Sequence, residues 1–238
     1  MKRTAVRFAS ALFGVALILT AEIAAAEQVD VGGGVYVTKK TYFAPANEQP
    51  FFGFQEKTAT QLAADRRLLA WFNSKGYSMS YAFNRAMANG WRALSGGKLD
   101  IAARRFNQAH LIDPSHSAVF HGFAIVAHVR FRDADYAEEL FSTGAKMDNR
   151  MRIYMADYGR FMLVIGKKRE ALPILEEAVR DAPDDATAWS NLAFARLHDD
   201  QRQKACEAAE RAKRLSPPET VVKDLKILIK QAKCVRRA

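Results

Sequence analysis

The sequence is poor in the residues that do chemistry. Of 238 residues only two are cysteine, Cys206 and Cys234, and they do not form a C-x-x-C pair. Dithiol exchange and cysteine-based zinc sites therefore have no support. Histidine is scarce too, at five. His110, His116, His121 and His128 fall close together, yet His121 and His128 are seven apart, about 10 Å along a helix. A metal pair on one helix needs a spacing of three or four, and no H-E-x-x-H is present, so no metal site and no cofactor is expected. There is no G-x-S-x-G, and Gly32-Gly33-Gly34 leads into no Lys-Ser/Thr as a phosphate loop would. The expectation is a protein that is not an enzyme. Long apolar runs are nearly absent as well. The one run, Phe8 to Thr20, is too short to span a bilayer comfortably, so no membrane span is expected. Acidic residues are outnumbered, 26 Asp and Glu against 36 Lys and Arg, for a net charge of +10.

Lys2, Arg3 and Arg7 precede that apolar run, and Ala24-Ala25-Ala26 follows it. This is the layout of a cleavable signal peptide, residues 1–26, with the cut expected after Ala26. No cysteine follows the run to take a lipid anchor. The expected location is the periplasm of a Gram-negative bacterium, with secretion as the alternative. Nucleic acid is not an expected partner for a chain that leaves the cytoplasm. Cleavage removes three cations and Glu22, leaving about +8.

The rest of the chain repeats itself. Ala102, Ala137, Ala171 and Ala205 are separated by 35, 34 and 34 residues. Ala109, Gly144, Ala178 and Ala212 keep the same steps, as do Pro114, Asn149, Pro183 and Pro217. Gly90, Ala124, Gly159 and Ala193 form a further small-residue series upstream. The small residues let two helices approach where they cross, Phe106 fills the space they leave, and Pro114 ends the second helix. Gly97, Gly166 and Asp200 mark the turns within each pair. The second unit departs, with Asn149 for proline and one extra residue expected near Arg132 to Asp135, which leaves the register of its first helix open by one.

This pattern resembles the tetratricopeptide repeat (TPR), over roughly residues 83–217. The resemblance implies an all-α fold: a right-handed solenoid of about four helix hairpins with capping helices at both ends. The expected units are 78–115, 116–150, 151–184 and 185–217, between an N-terminal capping helix, 58–77, and a C-terminal one, 218–238. Thr58 and Gln61 form a capping box for the first, and Ser78 caps the next helix. In the last helix Val222, Leu225, Leu228, Ile229 and Ala232 face inward, and Lys223, Lys226, Lys230 and Lys233 form a basic patch facing out. Residues 27–57, with alternating valines around the glycines and the aromatic run FFGF, are expected to be an extended arm. An isolated hairpin there would be marginal. In an exported protein Cys206 and Cys234 are expected to pair, although a simple antiparallel count leaves them several residues out of register. Two buried thiols are the alternative.

The resemblance also implies that the second, fifth, ninth and twelfth residues of each unit line a concave groove. These include Met87, Trp91 and Leu94; His121, Ile125 and His128, in one of two registers; Ile153, Arg160 and Leu163; and Phe194 and Leu197. Met87 and Trp91 stand where TPR domains that grip acidic chaperone tails carry Lys and Asn, so that activity is not expected. An apolar, aromatic groove suits an amphipathic or extended protein segment. The expected function is a non-catalytic protein-binding scaffold of the cell envelope. The alternative is an envelope factor that binds an anionic glycan, peptidoglycan included, through groove aromatics and the basic helix. A further expectation is that Phe51, Phe52 and Phe54 of the arm occupy the groove themselves.

Overall fold

The computed structural model describes residues 27–234; the expected signal peptide lies outside them. Two short antiparallel strands, β1 (Gln28–Asp30) and β2 (Tyr36–Thr38), pair with Val29 opposite Val37. Two 3-10 turns follow, Ala46–Glu48 and Pro50–Phe54. The remainder is helical. Helix α1 (Ala59–Ser74) precedes four hairpins: α2 (Met79–Ser95) with α3 (Leu99–Ile112), α4 (Ser117–Phe131) with α5 (Ala134–Ala145), α6 (Tyr154–Val164) with α7 (Lys168–Asp181), and α8 (Ala186–His198) with α9 (Arg202–Arg214). Helix α10 (Glu219–Ala232) closes the stack.

Each helix begins and ends for a local reason. The Thr58 hydroxyl accepts from Gln61 N–H while the Gln61 side chain accepts from Thr58 N–H, and Ser78 caps α2. Within a hairpin the chain reverses at one left-handed residue: Gly97 (φ 71°), Gly166 (φ 85°) or Asp200 (φ 56°). The next N–H then bonds five residues back, Lys98 to Ala93, Lys167 to Met162 and Gln201 to Arg196, each at 2.9 Å. In the second unit the left-handed residue is Arg132, and Asp133 N–H reaches six residues back to Ala127 at 3.1 Å. The extra residue therefore lies after Ala127, and α4 keeps the register in which Ala118, His121, Ile125 and His128 share one face. Asn149, in the place of proline, fastens the next loop. Its Oδ1 accepts from Ser117 N–H, its carbonyl from Ser117 Oγ, and its Nδ2 donates to Ser115 O.

Packing follows the small residues. The Phe106 ring is wholly buried against Gly90 of its own hairpin and Gly122 of the next, where a Cβ on either glycine would run into it. Leu175 sits on Gly159 in the same way, and Tyr154 on Gly144. First helices approach one another at three of the four steps, α2 to α4, α6 to α8 and α8 to α10, though less so at α4 to α6, whereas the second helices of successive hairpins do not pack closely side by side. The first helices thus line the inner, tighter side of the curve and the second helices fan out on the back.

Helix α10 packs Val221, Leu225, Leu228 and Ala232 against α8 and α9; Val222 and Ile229, expected inward, are half-buried. Cys206 and Cys234 are bonded, with Cα atoms 5.6 Å apart. The register gap is closed by the end of α10. Lys233 is left-handed (φ 53°) and Cys234 N–H bonds back to Ile229 O, so the chain doubles back toward α9. The bond closes a loop of 28 residues, for which chain entropy gives about 3.5 kcal/mol. Cys234→Ser should lower stability to denaturant by about that amount and expose α10 first, read as early loss of amide protection over 219–232.

Candidate functional site

The inner face presents fewer open positions than the repeat implies. Met87 and His121 are buried, at 5% and 2% exposure. His121 lies between units: its ring meets Trp91, Phe141 and Tyr154, and its Nε2 is 3.2 Å from Asp157 Oδ2. Both residues belong to the core between hairpins. Trp91 is half-buried, its ring edge-on to Phe106. Leu94, Ile125, His128, Leu163, Phe194 and Leu197 are half-buried and present one edge to solvent. Arg160 is exposed, reaching Asn191 Oδ1 (3.4 Å) and Asp224 Oδ2 on α10 (3.6 Å). Ile153 is exposed at 49%, joined by Val129 at 39% and Val164 at 65%. Val129 and Val164 were not singled out from sequence; each directly follows the twelfth position of its unit, 35 residues apart, and that repetition was the available signal. By repeat position these side chains form an apolar stripe along the first helices, with Arg160 the cation among them.

The arm does not lie in this stripe. It is seated on the back of the first two hairpins, where α3 and α5 diverge and leave a wedge to fill. Phe51 is buried against Phe123 (4.8 Å between centroids), His110 (5.2 Å) and Phe120 (5.6 Å). Phe54 packs on Phe51, and Phe52 lies under Lys57. The expectation that Phe51, Phe52 and Phe54 fill the groove is therefore corrected. The arm's contacts are instead with α3, α4 and α5, in the space that the separated second helices leave. The arm also forms a short hairpin supported by this contact, with Val37 fully buried.

Polar clamps fix the arm. Asn107 accepts from Phe52 N–H and donates to Gln49 O, at 2.8 and 2.7 Å. Glu48 pairs with Arg104 of α3 and Arg130 of α4. Burial pushes the Glu48 carboxyl up, but the two guanidinium groups outweigh it and hold it below the usual carboxylate range. His110 donates to Val31 O at 2.7 Å, and burial lowers its pKa despite that bond. Tyr42 stacks on Phe131 at 3.9 Å and donates to Asp133. Against these stand the left-handed φ values of Phe51, Phe52 and Phe54 (52°, 57°, 54°), each costing about 1–2 kcal/mol.

The basic patch is present on α10. Lys223 pairs with Glu219, while Lys226, Lys230 and Lys233 are exposed around Ile227. Among the described residues no His/Cys/Asp/Glu group is arranged to hold a metal, and no helix is long and apolar enough to cross a membrane.

Arm docking should weaken in acid. A histidine with a depressed folded pKa binds protons preferentially when undocked, so its contribution falls as pH drops below about 6.5. Glu48, also depressed, loses its contribution below about 4.3. Amide exchange over 28–54 should therefore speed up relative to α7 in two stages, and Glu48→Gln should shrink the lower one, leaving the part supplied by Asp133, whose carboxyl, despite its burial, is also held down by its bonds to Tyr136 N–H, Lys40 and Tyr42.

No family model and no curated protein sequence matches the chain. Solved structures do. The Pseudomonas aeruginosa PilF structure superposes with a TM-score of 0.57 at 23% identity, over 65% of this chain and 71% of that one. A chain of the APC/C Cut9–Hcn1 hetero-tetramer structure matches with a TM-score of 0.54 at 18% identity, over 71% of this chain and 34% of that one. YrrB, a TPR protein with an unusual peptide-binding site, gives 0.50 at 14%, over 70% and 84%. With the four hairpins and their spacing, these likenesses identify the fold as a tetratricopeptide-repeat solenoid.

Proposed function

We propose that this protein is a non-catalytic scaffold that binds a segment of another protein along its inner face, in the periplasm. The observation that carries the reading is the stripe of Val129, Ile153, Leu163, Val164, Phe194 and Leu197, partly open to solvent along the first helices, with Arg160 among them. Apolar anchors beside an arginine are the composition that concentrates binding energy in interfaces. The solved TPR neighbour with a peptide-binding site supports the mode of action by analogy of fold alone. The exported location rests on the N-terminal pattern of Lys2, Arg3, Arg7, the apolar run and the alanines.

The second reading, an anionic glycan or peptidoglycan bound through the basic helix, draws on exposed Lys226 and Lys230. It has less geometry behind it, because Trp91, the groove aromatic it would use, is half-buried against Phe106 and His121.

The test is in-cell crosslinking followed by capture, comparing wild type with Arg160→Glu/Val164→Asp. Val164 is exposed and the Arg160–Asp224 pair is a long surface contact, so the melting temperature should fall only slightly. A stoichiometric protein crosslinked to wild type should fall at least tenfold in the variant. Equal capture by both would remove the inner face from consideration, and retention on insoluble peptidoglycan that disappears with salt would favour the second reading.

A further inference from the structure

In the last three units the face of the first helix that meets the preceding unit is apolar and buried: Val119, Phe123 and Val126 on α4, Tyr154, Tyr158 and Phe161 on α6, and Ala188, Leu192 and Ala195 on α8. One repeat earlier, the same places on α2 are Arg85, Asn89 and Arg92. Both arginines are exposed. With Tyr81 they form a stripe at steps of four, four and three residues, about 16 Å long. The stripe runs into a cavity of about 340 Å³ lined by Asn89, Arg92, Lys98, Ile101 and Arg105, with no carboxylate in its lining. Arg92 and Arg105 each spend one N–H on a neighbouring amide, Asn89 and Gln108, and neither has an acidic partner among the described residues.

Charge around this end is one-sided. Residues 56–105 hold nine Lys and Arg against three Asp and Glu, and Asp65 and Asp100 are already paired with Lys57 and Arg104. Helix α1 stands in the chain where a covering helix would, but it touches α2 only lightly, buries only Phe72, and leaves Trp71 and Leu62 exposed. It carries Arg66 and Arg67, so like charge opposes its closing over the stripe. A second copy stacked end to end would bring up α10 with Lys226 and Lys230, which is opposed in the same way.

We propose that this open end of the solenoid is a second docking site, and that its occupant is an acidic amphipathic helix of a partner protein. The shape is that of a face which a helix covers in every later unit. The charge selects carboxylates, which the guanidinium groups of Arg85, Arg92 and Arg105 receive in forked pairs. Apolar residues of the same helix meet Tyr81, Trp71 and Ile101, which are left partly open there.

The probe is a fluorescein-labelled 20-residue peptide with leucine at helical spacing and glutamate elsewhere, titrated with the purified protein and read by anisotropy. Binding at low salt should weaken more than tenfold at 300 mM salt. It should fall at least tenfold in Arg92→Glu/Arg105→Glu and stay unchanged in Lys226→Glu/Lys230→Glu. If the first variant melts early, Arg92→Gln/Arg105→Gln replaces it, with a loss of at least threefold expected. Absence of binding, equal binding by the Arg92/Arg105 and Lys226/Lys230 variants, or equally tight binding of unstructured polyglutamate or an acidic polysaccharide would each overturn the proposal.

Discussion

The structure depends on a size mismatch between paired helices. Glycine or alanine on one helix receives a large ring or branched chain from another, as Gly90 and Gly122 receive Phe106 and Gly159 receives Leu175. The fits of Phe106 on Gly90 and of Leu175 on Gly159 close a hairpin, and the fit of Phe106 on Gly122 seats the next hairpin against it. Curvature is the geometric sum of those fits. It yields a continuous inner face and, on the back, a wedge between α3 and α5.

The arm occupies that wedge, and its conformation follows from the occupancy. Three phenylalanines in a left-handed turn would not persist in an isolated peptide. They are held because Phe51 enters an aromatic pocket and because Asn107, Arg104 and Arg130 satisfy the polar groups around it. The strain is local, and the interactions that offset it come from two helices, α3 and α4. The arm therefore joins the first two units into one body, whereas the junction between α5 and α6 brings the helices together only sparingly and is filled by the Phe141, Tyr154 and Tyr158 rings.

The repeat was legible in sequence because packing in a solenoid recurs at a fixed step. Ala102, Ala137 and their successors report the same contact four times. Turn residues and the extra residue near Arg132 were legible for the same reason, and the capping box at Thr58 because its motif is local. What was not legible depended on contacts without a period. FFGF announces that it will be buried, but nothing in it specifies the back of the solenoid over the inner face. Met87 and His121 hold groove positions in the repeat, yet large neighbours such as Trp91 and Tyr154 draw His121 into the core. The cysteine pairing was legible in kind, but the doubling back at Lys233 that permits it was not.

The arm also sets an order of assembly. Hairpins form from contacts close in sequence and are expected to condense quickly. The arm's bonds join residues 79 apart from Val31 to His110, and 101 apart from Thr38 to Glu139. Its partners on α3, α4 and α5 emerge later in synthesis than the arm itself. The first segment of the body to appear is thus the last to find its place. Until it does, the aromatic pocket around His110 and Phe123 stands open, and a nascent chain in that state presents a surface to chaperones that the finished protein conceals.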